Sequence, residues 1–235
     1  MDFYGTLAKA EATRPSLGAV CRELGLPITE EEANRWSMEA ADGIVHPGAS
    51  RSPEHFRRWE LSRYRRLLRA CAIDEPAMAL LIEASVARAR RDSIIRPVSG
   101  AARCLQELRR VGLDVVVCSN WGWDLPQLIE QVGLSPWVRG VICSAEAGGR
   151  KPHPRPFAAA LRLARGCDPS NAMMVGDHPI ADGVGGVSFG LRAVSLVVGS
   201  EPLPAVALLA QTLKSLQLAA DLEEAVEQVI HAFIS

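Results

Sequence analysis

In LDVVVCSNWGWDLPQLIEQVG, residues 113–133, an apolar run over Val115–Cys118 stops at Ser119-Asn120 and gives way to a helical pattern opened by Asp124 and Pro126. A short run of β-branched residues, apolar on both faces, reads as a buried strand of a parallel sheet. The same unit recurs on either side. Upstream, SGAARCLQELRRVG (99–112) is helical. Downstream, RGVICSA (139–145) and NAMMVGD (171–177) are apolar runs separated by the helical PRPFAAALRLA (154–164), and LRAVSLVV (191–198) is a last run. ADLEEAVEQVIHAF (220–233) closes the chain as an amphipathic helix. Apolar runs alternating with helices predict an α/β fold with a doubly wound parallel sheet.

Residues 13–95 read differently. ITEEEANRWSMEAA (28–41) opens with a capping box from Thr29 to Glu32. SPEHFRRWELSRYRRLLRA (52–70) has Ser52 as cap and Pro53 at the first helical position, with Phe56, Trp59, Tyr64, Leu67 and Leu68 roughly on one face. DEPAMALLIEASVARARR (74–91) repeats the formula with Asp74 as cap. These segments predict a small helical bundle, inserted between residues 1–12 and 96–235 of the α/β unit.

Composition narrows the function classes. In 235 residues, 48% are apolar and the formal charge is −1, which argues for a sizeable core and against bulk electrostatic binding to nucleic acid or anionic membrane. The basic stretch RRWELSRYRRLLRA (57–70) reads as a solvated helix face, with attraction of an anionic substrate as the functional alternative. Six cysteines without a C-x-x-C pair, several inside apolar runs, read as reduced thiols of a cytoplasmic protein. No apolar stretch is long enough to cross a bilayer, and no signal peptide is visible.

In a parallel α/β sheet, ligands sit beyond the carboxyl ends of the strands. Three polar segments fall there or near it. DFYGTL (2–7) sets the Asp2 carboxylate beside the amides of a Gly5-Thr6 turn and the Thr6 hydroxyl, a place to hold an anion against a nucleophile. GRKPHP (149–154) carries Lys151 in a chain whose other lysines are only Lys9 and Lys214, which reads as a compact point charge chosen for that place, with an ordinary solvated lysine as the alternative. VGDHPIAD (175–182) puts Asp177 and Asp182 just past an apolar run, a hard oxygen-rich pair suited to magnesium. Trp121 and Trp123 read as packing, with stacking on a substrate ring as the alternative. His178 reads as a cleft residue, and His46 and Trp59 as packing within the helical insert. The glycines 183, 185 and 186 read as close helix–sheet packing rather than a nucleotide loop.

These segments, in this order and with Ser119-Asn120 between the first two, resemble the haloacid dehalogenase-like hydrolase superfamily. The resemblance covers nearly the whole chain. It points to subfamily IA with a type 1 helical cap and, within it, to the haloacid dehalogenase-like domain-containing protein 3 group. It implies that Asp2 attacks phosphorus, Ser119 donates to the phosphoryl group, and Lys151 neutralises the charge of both. It implies magnesium held by Asp2, the Tyr4 backbone carbonyl and Asp177, with Asp182 nearby. Gly5, Thr6, Asn120 and Trp121 are the expected substrate-binding residues. The implied activity is magnesium-dependent hydrolysis of a small anionic phosphate monoester through an aspartyl-phosphate.

Two departures qualify the resemblance. Phosphatases of the family carry a second aspartate two residues after the nucleophile, as general acid and base. Tyr4 stands there, and a free phenol titrates near ~10, so weak or selective activity is expected. The dehalogenase branch places tyrosine there too, which makes a 2-haloacid dehalogenase the enzymatic alternative. The second departure is the strand before Asp2, of which only Met1 is present. The expectation is that the first core strand is largely absent and that the true chain starts upstream. With Met1 as the true start, Asp2 is expected on a frayed terminus, in an impaired or catalytically inactive protein.

Overall fold

The computed structural model describes residues 1–11, 17–23, 45–70, 94–197 and 204–234, with positions 25, 28, 29, 31, 32, 76 and 199. The helix expected to start at Asp74 lies outside the described residues. In chain order the strands are β1 (Ala8–Ala10), β2 (Ile95–Pro97), β3 (Val116–Ser119), β4 (Gly140–Cys143), β5 (Met173–Gly176), β6 (Arg192–Leu196) and β7 (Leu216–Ala219). The helices are α1 (Leu17–Glu23), α2 (Pro53–Ala70), α3 (Ala101–Arg110), α4 (Leu125–Gln131), α5 (Ser144–Ala147), α6 (Pro154–Leu163), α7 (Gly185–Phe189), α8 (Pro204–Thr212) and α9 (Leu222–Ile234). No described helix is long and apolar enough to cross a membrane.

β3 pairs in parallel with β4, and β5, β6 and β7 form a second parallel set. Residues 1 and 2 join the two sets. The Met1 amine donates to the Val116 carbonyl at 2.9 Å, and the Met1 carbonyl accepts from the Cys118 amide at 2.9 Å. On the other side the Asp2 amide donates to the Val175 carbonyl at 2.7 Å. The spatial order is therefore β4, β3, residues 1–2, β5, β6, β7. Three main-chain hydrogen bonds thus hold residues 1 and 2 between their neighbours. Beside Met1, the gap between β3 and β5 widens into a cavity of about 270 Å³, lined by Val116, Met173, Val175, Phe157, Leu161 and Phe233 among others. Burial of the Met1 amine there pushes its pKa down.

The two-residue period of a strand sends alternate side chains to opposite faces. Val117, Val175 and Val194 point into one cluster with Leu105 and Leu108 of α3 and Val226 and Val229 of α9. Met174, Ala193 and Leu216 point into the other with Phe157 of α6. Helices thus cover both faces, as a buried parallel sheet requires. The glycines after β5 serve close packing: a Cβ on Gly185 would lie 2.8 Å from Cβ of Pro152, and one on Gly186 3.0 Å from Cβ of Met174.

Two elements differ from the sequence reading. β1 and β2 form an antiparallel ribbon, Ala8 opposite Pro97 and Ala10 opposite Ile95, where no strand is expected. AKA and IRP are too short to show a period, and long-range pairing decides them. β7, sequence LQLA, was also unread, since its polar Gln217 breaks the apolar run. In the helical region the capping box is present: the Thr29 amide donates to the Glu32 carboxylate at 2.8 Å and the Glu32 amide to Oγ1 of Thr29 at 3.2 Å. Ser52 caps α2 by accepting from the His55 amide at 3.3 Å. His46 is buried against Trp59 and Phe56, with ring centroids 4.4 and 5.3 Å away. The side chains of Tyr64, Leu67 and Leu68 lie outside the described residues.

Candidate active site

Parallel strands deliver their last residues to one edge of the sheet. Asp2, Ser119 at the end of β3, and Asp177 directly after β5 all lie there. Lys151 enters from the loop between α5 and α6 and is 1% exposed. Its ammonium uses all three N–H groups. It donates to Oδ1 of Asp2 at 2.8 Å, to the Cys118 carbonyl at 2.7 Å, and to Oδ1 of Asp182. Asp2 and Asp182 are themselves buried. Asp182 also accepts from the His178 amide at 3.1 Å. Asp177 is half-buried and accepts from the Thr6 hydroxyl at 3.3 Å.

The carboxylate oxygens of Asp2, Asp177 and Asp182 can be chosen within 4.8 Å of one another. Such proximity is costly without a cation. Burial, opposed by Lys151 and helped by the Asp2 charge, pushes Asp182 up to about 6. Burial and the Asp2 charge raise Asp177 as well. Burial works to lower the Lys151 pKa, but Asp2 and Asp182 outweigh it and the net shift is upward, so the ammonium stays charged. Three carboxylates against one ammonium leave two negative charges, which a single divalent cation cancels. An all-oxygen donor set of this kind fits a hard cation such as magnesium.

Two glycines make this crowding possible. Gly5 has φ +88°, and a Cβ there would stand 2.7 Å from Oδ1 of Asp177 and nearer still to Oδ2. A Cβ on Gly176 would overlap the Asp182 side chain. Gly5, expected at the substrate, lies directly against Asp177. The sequence marks Gly176, with Asp177, as lying at the ligand edge of the sheet, but nothing local signals its contact with a residue six positions later.

The remaining expected residues divide. Ser119 is buried at the tip of β3. The Tyr4 ring is 37% exposed and lies 5.7 Å from the Trp121 ring, which meets Phe3 edge-on at 5.8 Å. Asn120 turns its amide onto the main chain of Lys151. His178 is exposed, and its Nδ1 accepts from the Ala181 amide at 3.1 Å, closing the turn that carries Asp182. Sequence reasoning missed the Cys118 carbonyl as a partner of Lys151, because a main-chain acceptor carries no residue-type signal.

The chain as a whole is similar to known proteins. Residues 1–190 match the family model described as haloacid dehalogenase-like hydrolase. Haloacid dehalogenase-like hydrolase domain-containing protein 3 of Bos taurus is 38% identical over 110 residues, 46% of this chain and 43% of that protein. The match thus spans less than half of that relative's length. Glyceraldehyde 3-phosphate phosphatase of Methanothermobacter thermautotrophicus is 27% identical over 201 residues, 85% of this chain and 82% of the relative. Among solved structures, 2-haloacid dehalogenase from Pseudomonas syringae superposes with a TM-score of 0.60 at 21% identity, covering 98% of this chain and 96% of its own, and so shares the fold. With the family model matching most of its length, this chain belongs to the haloacid dehalogenase-like hydrolases.

Proposed function

We propose that this chain is a magnesium-dependent phosphatase that hydrolyses a small phosphate monoester through an aspartyl-phosphate on Asp2. The observation that carries the reading is the Lys151 ammonium bonded to Asp2 and Asp182, with Asp177 in reach of the same point. A carboxylate oxygen of Asp2 attacks phosphorus, the P–O bond to the leaving group breaks, and the leaving oxygen takes the electron pair. Water then attacks phosphorus of the acyl phosphate, returning Asp2 and releasing inorganic phosphate. Phosphoryl transfer demands positioning and charge cancellation. Lys151 supplies a fixed positive charge beside Asp2, Ser119 a donor at the tip of β3, and Thr6 a hydroxyl that orients Asp177. Asp2, Asp177 and the Tyr4 carbonyl would hold the magnesium ion, with Asp182 beside it. Bound magnesium would supply a Lewis-acidic charge next to the transferring group.

Tyr4 replaces the carboxylic acid that would protonate the leaving group. Loss of general acid help costs about 10²–10⁴-fold, so the enzyme should prefer leaving groups that depart unprotonated. The Tyr4–Trp121 aromatic pair favours a second reading, a 2-haloacid dehalogenase in which Asp2 attacks carbon and expels halide. The three clustered carboxylates weigh against it, since a metal-free site has no use for their repulsion. We further propose that residues 13–95 form a cap on a core of residues 1–12 and 96–235. The β1–β2 ribbon supports this, because the insert leaves and re-enters at one place. The buried thiols of Cys21, Cys104, Cys118 and Cys143, none of them in a disulfide, support a cytoplasmic enzyme. The test is a panel of phosphate monoesters and 2-haloacids, with magnesium and with chelator. Magnesium-dependent phosphate release that Asp2→Asn abolishes supports the proposal. Dehalogenation in chelator supports the second reading, and silence on both classes supports an inactive protein.

A further inference from the structure

Lys151 must deliver its ammonium to three acceptors at once from the end of a flexible four-carbon stem. Its loop opens on two residues without side chains, Gly148 and Gly149, three and two positions before it. Something must fix the main chain from which the stem departs. The amide of Asn120 does this in two places. Its Oδ1 accepts from the Lys151 N–H at 2.7 Å, and its Nδ2 donates to the Lys151 carbonyl at 3.0 Å. One planar group with an acceptor and a donor copies what a neighbouring strand would offer that residue.

The source of this clasp matters. Asn120 directly follows β3, and Cys118 of the same strand accepts from Nζ of Lys151 at 2.7 Å. The end of β3 therefore grips Lys151 at both ends, main chain and ammonium, across two residues. On its far side the loop is tied to the helical insert, where the His46 amide donates to the Gly148 carbonyl at 2.9 Å and Val45 bridges Gly149. Those ties hold the glycines, whereas among the hydrogen bonds of the described residues Asn120 alone holds the main chain of Lys151.

We infer that Asn120 is a positioning residue that acts through Lys151, rather than a substrate contact. Its consequence for turnover rests on the phosphatase reading; its hold on the lysine does not. Asparagine is specific to the task. Aspartate keeps the acceptor but turns an oxygen onto the Lys151 carbonyl, and alanine loses both bonds. Two hydrogen bonds of ordinary strength correspond to about ten- to a hundredfold in an equilibrium.

The test uses the full chain and its three lysines. An amine-reactive acetylating reagent is applied in limiting amount, and acetylation is read at each lysine by peptide mass spectrometry. Lys9 and Lys214 serve as internal references. In Asn120→Ala the Lys151 rate, relative to the references, is expected to rise about tenfold or more. With p-nitrophenyl phosphate and magnesium, kcat is expected to fall by about ten- to a hundredfold while KM holds within about twofold. Asn120→Asp should fall between wild type and alanine on both readouts, and it decides the matter if alanine unfolds the chain and exposes all lysines alike. A raised KM with wild-type Lys151 protection would overturn the inference, as would unchanged protection in both variants. Loss of protection in a wild-type protein that cleaves no phosphate ester leaves the inference standing and removes the phosphatase reading.

Discussion

Gly5 and Asp177 share one small volume: a Cβ on Gly5, at φ +88°, would stand 2.7 Å from one carboxylate oxygen of Asp177 and closer to the other. Gly5→Ala must therefore adopt a backbone region that costs an L-residue about 1–2 kcal/mol and also push Asp177 away. Thermal unfolding with and without millimolar magnesium reads both effects. The wild type is expected to gain stability on adding magnesium, as any ligand of the native state provides. Gly5→Ala should start lower and lose most of that gain. A full magnesium gain in the variant would show that Asp177 takes no part in holding the ion.

Lys151→Met leaves Asp2 and Asp182 buried without their shared ammonium. Breaking a buried ion pair on one side costs about 3–5 kcal/mol. Denaturant unfolding at pH 8 should show a loss of that order. The loss should shrink near pH 5, where the stranded Asp182 takes a proton, and Asp182→Asn in the same chain should restore part of it. Equal losses at both pH values would mean that lost packing, not charge, sets the cost.

His46 titrates by burial. Its surroundings push it down to about 4, against an ordinary value of 6.5. The unfolded chain takes up a proton over that window while the folded chain does not, so this contribution is intact above pH 6.5 and is lost as pH falls towards 4. The ceiling is about 3 kcal/mol. Asp182, raised to about 6, works in the opposite direction over part of the same range. The measurement is therefore a difference: stability of wild type minus His46→Phe, followed from pH 7 to pH 4. It should fall with acidification, and a flat difference would place His46 in water.

Much of this was legible because it is local. Val115–Cys118 announces a buried strand by composition alone, and the polar residues that follow each apolar run mark the sheet edge. Lys151 stood out because the chain otherwise avoids lysine. What stayed hidden is set by contacts between distant segments. Ala8–Ala10 becomes a strand only because Ile95–Pro97 lies beside it. Asn120 reads as a cleft residue until the Lys151 main chain is seen against it. Gly176 is ordinary in a strand end until Asp182 folds back onto it.

The cavity beside Met1 gives a prediction of its own. It is mostly apolar, it lies between β3 and β5, and Met1, whose amine is buried, lines it. A variant carrying four added residues before Met1, apolar at alternate positions, should place an extended segment in that gap and convert a desolvated amine into an amide. Its unfolding midpoint is expected to rise by several degrees, as about 1–3 kcal/mol per buried apolar side chain implies. The same length in glycine and serine should add little. Equal effects from both would show that the gap does not accept a strand.

If Asp2 is the proposed nucleophile, the phosphoryl group can be trapped on it. Wild-type protein is mixed with a phosphate monoester and magnesium, quenched in acid within a turnover, and digested for mass spectrometry. The mass of one phosphoryl group is expected on the peptide Met1–Lys9, dependent on magnesium and absent from Asp2→Asn. Phosphate release with the label on another peptide, or turnover by Asp2→Asn at the wild-type rate, would contradict it.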